Sequence, residues 1–141
     1  MKKTVIFSLL LLMVGITACS PKEKTQPITY QEFIDKIWDF ETYHDTLVFK
    51  GNNTVIVDFY AKWCGPCRQL LPLMEKMANQ YDGKLTVYKV NVDKEPKLAS
   101  TFKVKGLPVF YLFSPNGYFK RYEGLASEAD LTRIIEEQLI K

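Results

Sequence analysis

The stretch Thr54-Val55-Ile56-Val57-Asp58-Phe59-Tyr60-Ala61-Lys62-Trp63-Cys64-Gly65-Pro66-Cys67-Arg68 decides how this chain is read. Its first seven residues are β-branched or aromatic around one carboxylate. That run is too continuous for a one-sided sheet and predicts a strand covered on both faces. Two cysteines three positions apart follow it and open a helix. Such a pair can close a disulfide within one helical turn and reopen it without unfolding the chain, which suits it to passing two electrons between dithiols and disulfides. The same spacing also fits half of a zinc site, but a structural zinc needs four ligands. The chain has three cysteines and one histidine. The third cysteine, Cys19, lies in a targeting segment, and His44 stands alone near a helix end, where a solvent-facing role is expected. Redox chemistry therefore leads, with no metal and no cofactor expected.

The 141 residues suffice for one domain with a real core. Composition is that of a globular protein, 47% hydrophobic and 25% charged, so a packed core is expected. A net charge of +3, scattered with no long basic block, gives no case for nucleic acid as a partner. The aromatic residues Phe110, Tyr111, Phe113, Tyr118, Phe119 and Tyr122 read as core and hairpin packing rather than as a base-stacking platform.

Met1-Lys2-Lys3, the apolar run Val5 to Val14, and Gly15-Ile16-Thr17-Ala18-Cys19 follow the order of a bacterial secretory signal. The apolar run is shorter than the roughly 18 residues of a membrane span. Ile16-Thr17-Ala18-Cys19 resembles a lipobox, with cleavage before Cys19 and acylation of its thiol; an ordinary signal with a coincidental cysteine is the alternative. Cleavage would remove residues 1–18 and lower the formal charge from +3 to +1. Two or three acyl chains on Cys19 would anchor the protein far better than one. Residues 19–28 read as a tether, short and polar, and 29–141 as the domain. Only Cys64 and Cys67 then remain as thiols in the domain, and a loop that short adds little as a structural staple.

Outward from the motif, Thr29-Tyr30-Gln31-Glu32 has the form of a capping box, and Phe33, Ile34, Ile37 and Phe40 continue at helical spacing to about Thr42. The helix opened by Cys64 extends to about Tyr81, with Leu70, Leu73, Met74 and Met77 on one side and Pro72 inside it as an expected kink. Leu85 to Val92 is a second buried strand and Glu95 to Phe102 a short helix. Pro108 to Phe113 and Tyr118 to Tyr122 form a hairpin about Ser114-Pro115-Asn116-Gly117. Ser127 caps a last helix with Leu131, Ile134, Ile135 and Leu139 on one face. The order α-β-α-β-α-β-β-α predicts an α/β fold with a mixed central sheet: parallel strands first, then a C-terminal antiparallel hairpin, flanked by helices.

At this point the chain resembles a thioredoxin from about Thr29 to Ile140. Val57 to Arg68 is similar to the family's active-site segment, and Pro72 falls where thioredoxins kink that helix. Lys89-Val90-Asn91-Val92-Asp93 is similar to their central strand, Gly106-Leu107-Pro108 to the loop with their cis-proline, and Gly124 to their late glycine beside the site. Tyr60, Arg68 and Val109 depart from common family residues while keeping bulk or charge.

The resemblance implies a thioredoxin fold and a redox-active Cys64–Cys67 disulfide, with Cys64 as nucleophile and Cys67 as resolving thiol. A helix N-terminus favours an anion, and the thiolate is the attacking species. Gly65 would let the backbone turn into the helix and Pro66 would rigidify its first turn. In the family this pair of residues tunes the potential; the reference values of about −270 mV for thioredoxin and about −120 mV for a strong periplasmic oxidant are the family's own. Asp58, buried among apolar residues, would accept the proton of Cys67, modulated by Lys89 on the next strand. A plain Asp58–Lys89 ion pair is the alternative. Pro108 is expected cis, a plain trans turn being the alternative. Trp63, Gly65, Pro66, Leu107 and Gly124 would form the substrate rim.

The activity implied is reduction or exchange of disulfides in exported proteins, on the periplasmic side of a bacterial envelope. A membrane thiol-disulfide electron transporter would supply electrons to a monomer held by its lipid anchor. Two alternatives stand beside it. One runs the same chemistry as a disulfide donor in oxidative folding; the other is a non-catalytic thioredoxin-like binding module.

Overall fold

The computed structural model describes residues 23–140. Its elements are β1 (Gln26–Pro27), α1 (Tyr30–Lys36), β2 (Thr54–Tyr60), α2 (Gly65–Gln80), β3 (Leu85–Asn91), α3 (Pro96–Thr101), β4 (Val109–Phe113), β5 (Phe119–Glu123) and α4 (Glu128–Leu139). The strands form one sheet in the order β1-β3-β2-β4-β5. β1 and β2 both run parallel to β3, while β4 is antiparallel to β2 and β5 to β4. This is the mixed α/β architecture expected from the sequence.

β2 sits between β3 and β4, and its first six residues are all buried. Its alternation divides the core. Val55, Val57 and Phe59 face one layer with Phe33 of α1, Leu98 of α3 and Phe113 of β4. Ile56 faces the other, with Leu70, Met74 and Met77 of α2 and Leu131, Ile134 and Ile135 of α4. Full burial of a side chain such as Phe33 or Leu70 stabilises the fold by roughly 1.5–3 kcal/mol relative to exposure. Leu73 and Leu139, expected on these buried faces, are only partly covered. Pro72 does lie inside α2. Among the described residues no helix is long and apolar enough to cross a membrane.

Two expectations need correction. The capping box at Thr29 is present, with Thr29 and Glu32 exchanging side-chain and backbone bonds, but α1 ends at Lys36 rather than near Thr42. Trp38 instead forms an isolated antiparallel bridge with Phe49, and the Asp39 carboxylate accepts from both the N–H and the hydroxyl of Thr42. Phe40 still reaches the core, from a turn. Helical spacing is satisfied here by a structure that is not a helix.

The second correction concerns the tether. Residues 19–22 lie outside the described residues, but 23–28 are docked on the domain. Gln26 and Pro27 pair with Tyr88 and Lys89, Ile28 donates its N–H to the Lys89 carbonyl at 3.1 Å, and Thr25 and Ile28 are buried. The Glu75 carboxylate of α2 accepts the backbone N–H groups of Lys24 and Thr25 at 2.6 and 2.9 Å. Neither Gln26 nor Pro27 carries strand periodicity, so tertiary pairing alone makes this strand.

Candidate active site

Cys64 is the N-cap of α2, placed there because β2 ends at Tyr60 and the Cys64 N–H turns back to the Ala61 carbonyl at 3.2 Å. Pro66 occupies the first turn, where its missing N–H has no helical partner to lose. Gly65 corrects an expectation: it opens α2 without a left-handed φ, and a Cβ there would meet only Arg68 Nη2 at 3.9 Å. The backbone geometry at this position would accept a side chain, so entry into the helix does not depend on glycine.

Cys64 and Cys67 are joined in a disulfide, with Cα atoms 5.3 Å apart. The Cys67 N–H also donates to Cys64 Sγ at 3.2 Å. A free N–H of a helix's first turn thus points at this sulfur, which favours its anion once the bond is reduced. Both cysteines are largely covered, Cys64 being 4% exposed and Cys67 1%. What separates them is the opening they face. Cys64 lines a groove of about 490 Å³ together with Trp63, Gly65, Pro66 and Leu107, and Cys67 does not reach it.

Trp63 is 69% exposed, a large apolar surface left uncovered beside the disulfide. Its indole N–H donates to the Asp93 carboxylate at 3.1 Å, which fixes the ring at one wall of the groove. Opposite it, the Leu107–Pro108 peptide bond is cis. Gly124 does not line the groove itself; its N–H donates to the Pro108 carbonyl at 2.9 Å, and its φ of 83° is one that glycine adopts without strain. The structure thus brings Trp63, Cys64, Gly65, Pro66 and Leu107 together, while Pro108 and Gly124, bonded to each other, lie outside the groove lining. Sequence reasoning named Asp93, Val92 and Gly106 only within family-like segments, with no part in the site, and passed over Val104 and Lys105 of the groove wall. A carboxylate thirty residues from the tryptophan it holds leaves no local signal.

Asp58 is 1% exposed, and neither carboxylate oxygen has a hydrogen-bond partner among the described residues. It stands on the sheet face covered by α2 and α4, between Lys89 of β3 and Phe110 of β4 in register. Burial pushes its acid up to about 7, and the positive charge of Lys89 opposes this only in part. The plain Asp58–Lys89 ion pair of the alternative reading is not made. The Lys89 ammonium instead binds the Glu23 carboxylate. Asp58 is therefore a buried acid poised near neutrality, the range in which a general base is most useful.

His44 is exposed, away from these residues. Among the described residues, no three His, Cys, Asp or Glu side chains come together as a metal-binding set.

A mixed sheet that carries a buried acid on its central strand and delivers a bonded cysteine pair to the start of a helix, beside an open apolar groove, is built for thiol-disulfide exchange. The family profile described as Thioredoxin matches residues 36–137. The chain is 34% identical to the thioredoxin of Borreliella burgdorferi over 110 residues, covering 78% of this chain and 93% of that protein. It is 36% identical to the thioredoxin of Acidithiobacillus ferridurans over 95 residues, covering 67% and 88%. Among solved structures, chloroplastic thioredoxin z superposes with a TM-score of 0.68 at 29% identity, over 84% of this chain and 96% of that one. A Halobacterium salinarum thioredoxin variant superposes with a TM-score of 0.65 at 31% identity, over 83% and 92%. The class is that of the thiol-disulfide oxidoreductases. Within it, the chain belongs to the thioredoxin family.

Proposed function

We propose that this thioredoxin reduces or exchanges disulfides in exported proteins, on the periplasmic side of a bacterial envelope, from a lipid anchor at Cys19. The single observation carrying the chemistry is the bonded Cys64–Cys67 pair with Cys64 alone opening on the groove. In the reduced protein, the Cys64 thiolate attacks one sulfur of a substrate disulfide. A Cys64–substrate bond forms, and the other substrate sulfur leaves as a thiolate and takes a proton. Cys67 then gives its proton to Asp58 and attacks Cys64 Sγ. The Cys64–Cys67 disulfide forms, the second substrate thiolate leaves, and two electrons have passed to the substrate. Lys89 modulates Asp58 through its charge.

The groove supports a peptide substrate held against Trp63 and the Leu107 backbone, in a short strand-like pairing. The exported address rests on the sequence: Met1-Lys2-Lys3, the apolar run and Ile16-Thr17-Ala18-Cys19. A membrane thiol-disulfide electron transporter is the reductant that suits this address, and a monomer suits an exchange site that must meet many partners.

Metabolic labelling with a palmitate analogue tests the anchor. The native chain is expected to carry the label and to sediment with membranes, and the Cys19→Ala chain to carry none. A native chain without label would overturn the anchor while leaving the exchange chemistry intact.

A further inference from the structure

Lys89 stands in register with Asp58, a buried acid with no hydrogen-bond partner among the described residues, yet its ammonium binds a carboxylate from the N-terminal segment instead. That carboxylate is held in place from several sides. Thr25 Oγ1 donates to Glu23 Oε1 at 3.3 Å, the next two backbone N–H groups are fixed on Glu75, and Lys24 pairs with Asp82 at 2.8 Å. From Gln26 onward the segment is a strand of the sheet, directly beside Lys89. The Lys89 side chain is only 13% exposed and Glu23 64%, so the cationic end of the pair is covered while the carboxylate meets solvent.

We propose that Glu23 is a positioning residue of the redox site: by binding Lys89 it sets how much positive charge Asp58 feels, and so the pH at which Asp58 accepts the Cys67 proton. The proposal rests on the assignment of Asp58 as that acceptor. Its electrostatics involve few groups. β3 brings Lys89 in register with Asp58, and β4 brings the uncharged Phe110. Tyr122 of β5 stacks on Phe110 with centroids 4.9 Å apart, and burial raises its hydroxyl so that it stays neutral. α2 covers this face with apolar Leu70 and Met74 and carries Cys67 one turn earlier, and α4 contributes Leu131, Ile134 and Ile135. Lys89 is the charged side chain whose field acts on Asp58.

Removing the Glu23 carboxylate releases the Lys89 ammonium from its partner on the N-terminal segment and lets it turn toward Asp58, which favours the Asp58 anion. The test is a pH titration of the Asp58 side-chain carboxyl carbon by NMR in the reduced full chain in detergent. It is run on the native protein, Glu23→Gln, Lys89→Gln and the double variant, alongside the pH profile of mixed-disulfide release. Glutamine keeps the length and the acceptor oxygen that Thr25 uses, so the segment stays docked. Glu23→Gln is expected to lower the Asp58 midpoint by about 0.5 pH, with the rate profile moving by the same amount. Lys89→Gln is expected to raise the midpoint, and adding Glu23→Gln to it to change little. An unmoved midpoint in Glu23→Gln, or a full shift that survives without Lys89, would overturn the proposal. Failure of the underlying assignment looks different: the midpoints move as expected while the release rate follows none of them.

Discussion

Replacing Cys67 with serine is expected to turn this protein into a trap. Cys64 still opens on the groove beside Trp63 and Leu107, so it still attacks a substrate disulfide. What is lost is the internal thiol whose Cα lies 5.3 Å from that of Cys64. An intramolecular thiol three residues away acts at an effective concentration that no thiol in solution matches, so release of the substrate should slow by at least about 10³-fold. Mixed disulfides with substrate proteins should then accumulate and be visible on non-reducing gels. Cys64→Ser, by contrast, should show neither adducts nor turnover. Adducts at equal levels in both variants would reverse or void the assignment, because only the groove-facing sulfur is placed to meet a partner.

The second large effect concerns Asp58. Its ordinary acid value is 3.8, and in the fold burial raises it to about 7, with Lys89 opposing. The folded state therefore holds a proton more tightly than the unfolded chain does between these two values. The sign follows directly. Stability from this group is fully present below about pH 4 and is lost as pH rises through about 7. At about 1.4 kcal/mol per pH unit, the gap corresponds to up to about 4 kcal/mol. Asp58→Asn removes that pH dependence and keeps a neutral side chain of the same shape. It should be close to native stability near pH 4 and more stable by as much as about 4 kcal/mol at pH 8, measured by urea denaturation at both values. It should also slow release of mixed disulfides near neutral pH, since the Cys67 proton loses its acceptor. A gain in stability with no loss in rate would make Asp58 a mere liability of the core. A variant that loses stability at pH 8 would mean that the buried carboxylate has a partner.

These two residues also show how far the sequence is legible. Asp58 stands out because a carboxylate inside Val55-Ile56-Val57 and Phe59 has nowhere to go but inward, and β2 is buried along nearly its whole length. Cys64 and Cys67 are fixed by their spacing at the end of a strand, and Trp63 by its place beside them. Local pattern failed where tertiary contacts decide. Phe40 satisfies helical spacing from a turn, because Trp38 pairs with Phe49 and Asp39 caps Thr42. Gln26 and Pro27 become a strand only because β3 offers an edge and Glu75 holds the chain beside it. The partner of Lys89 was illegible for the same reason: Glu23 lies 66 positions away, in a stretch whose polar composition reads as a tether. Gly65 failed in the opposite sense, since a glycine that looked necessary to the backbone is not.

The central claim is that Cys64 and Cys67 cycle between dithiol and disulfide, and trapping their thiols in intact cells tests it most directly. Acid quenching followed by a mass-shifting maleimide should find the pair predominantly reduced. A brief pulse of a thiol oxidant should convert it to the disulfide, and the reduced form should return within minutes once the oxidant is gone. A pair that stays in one state before, during and after the pulse would contradict the account.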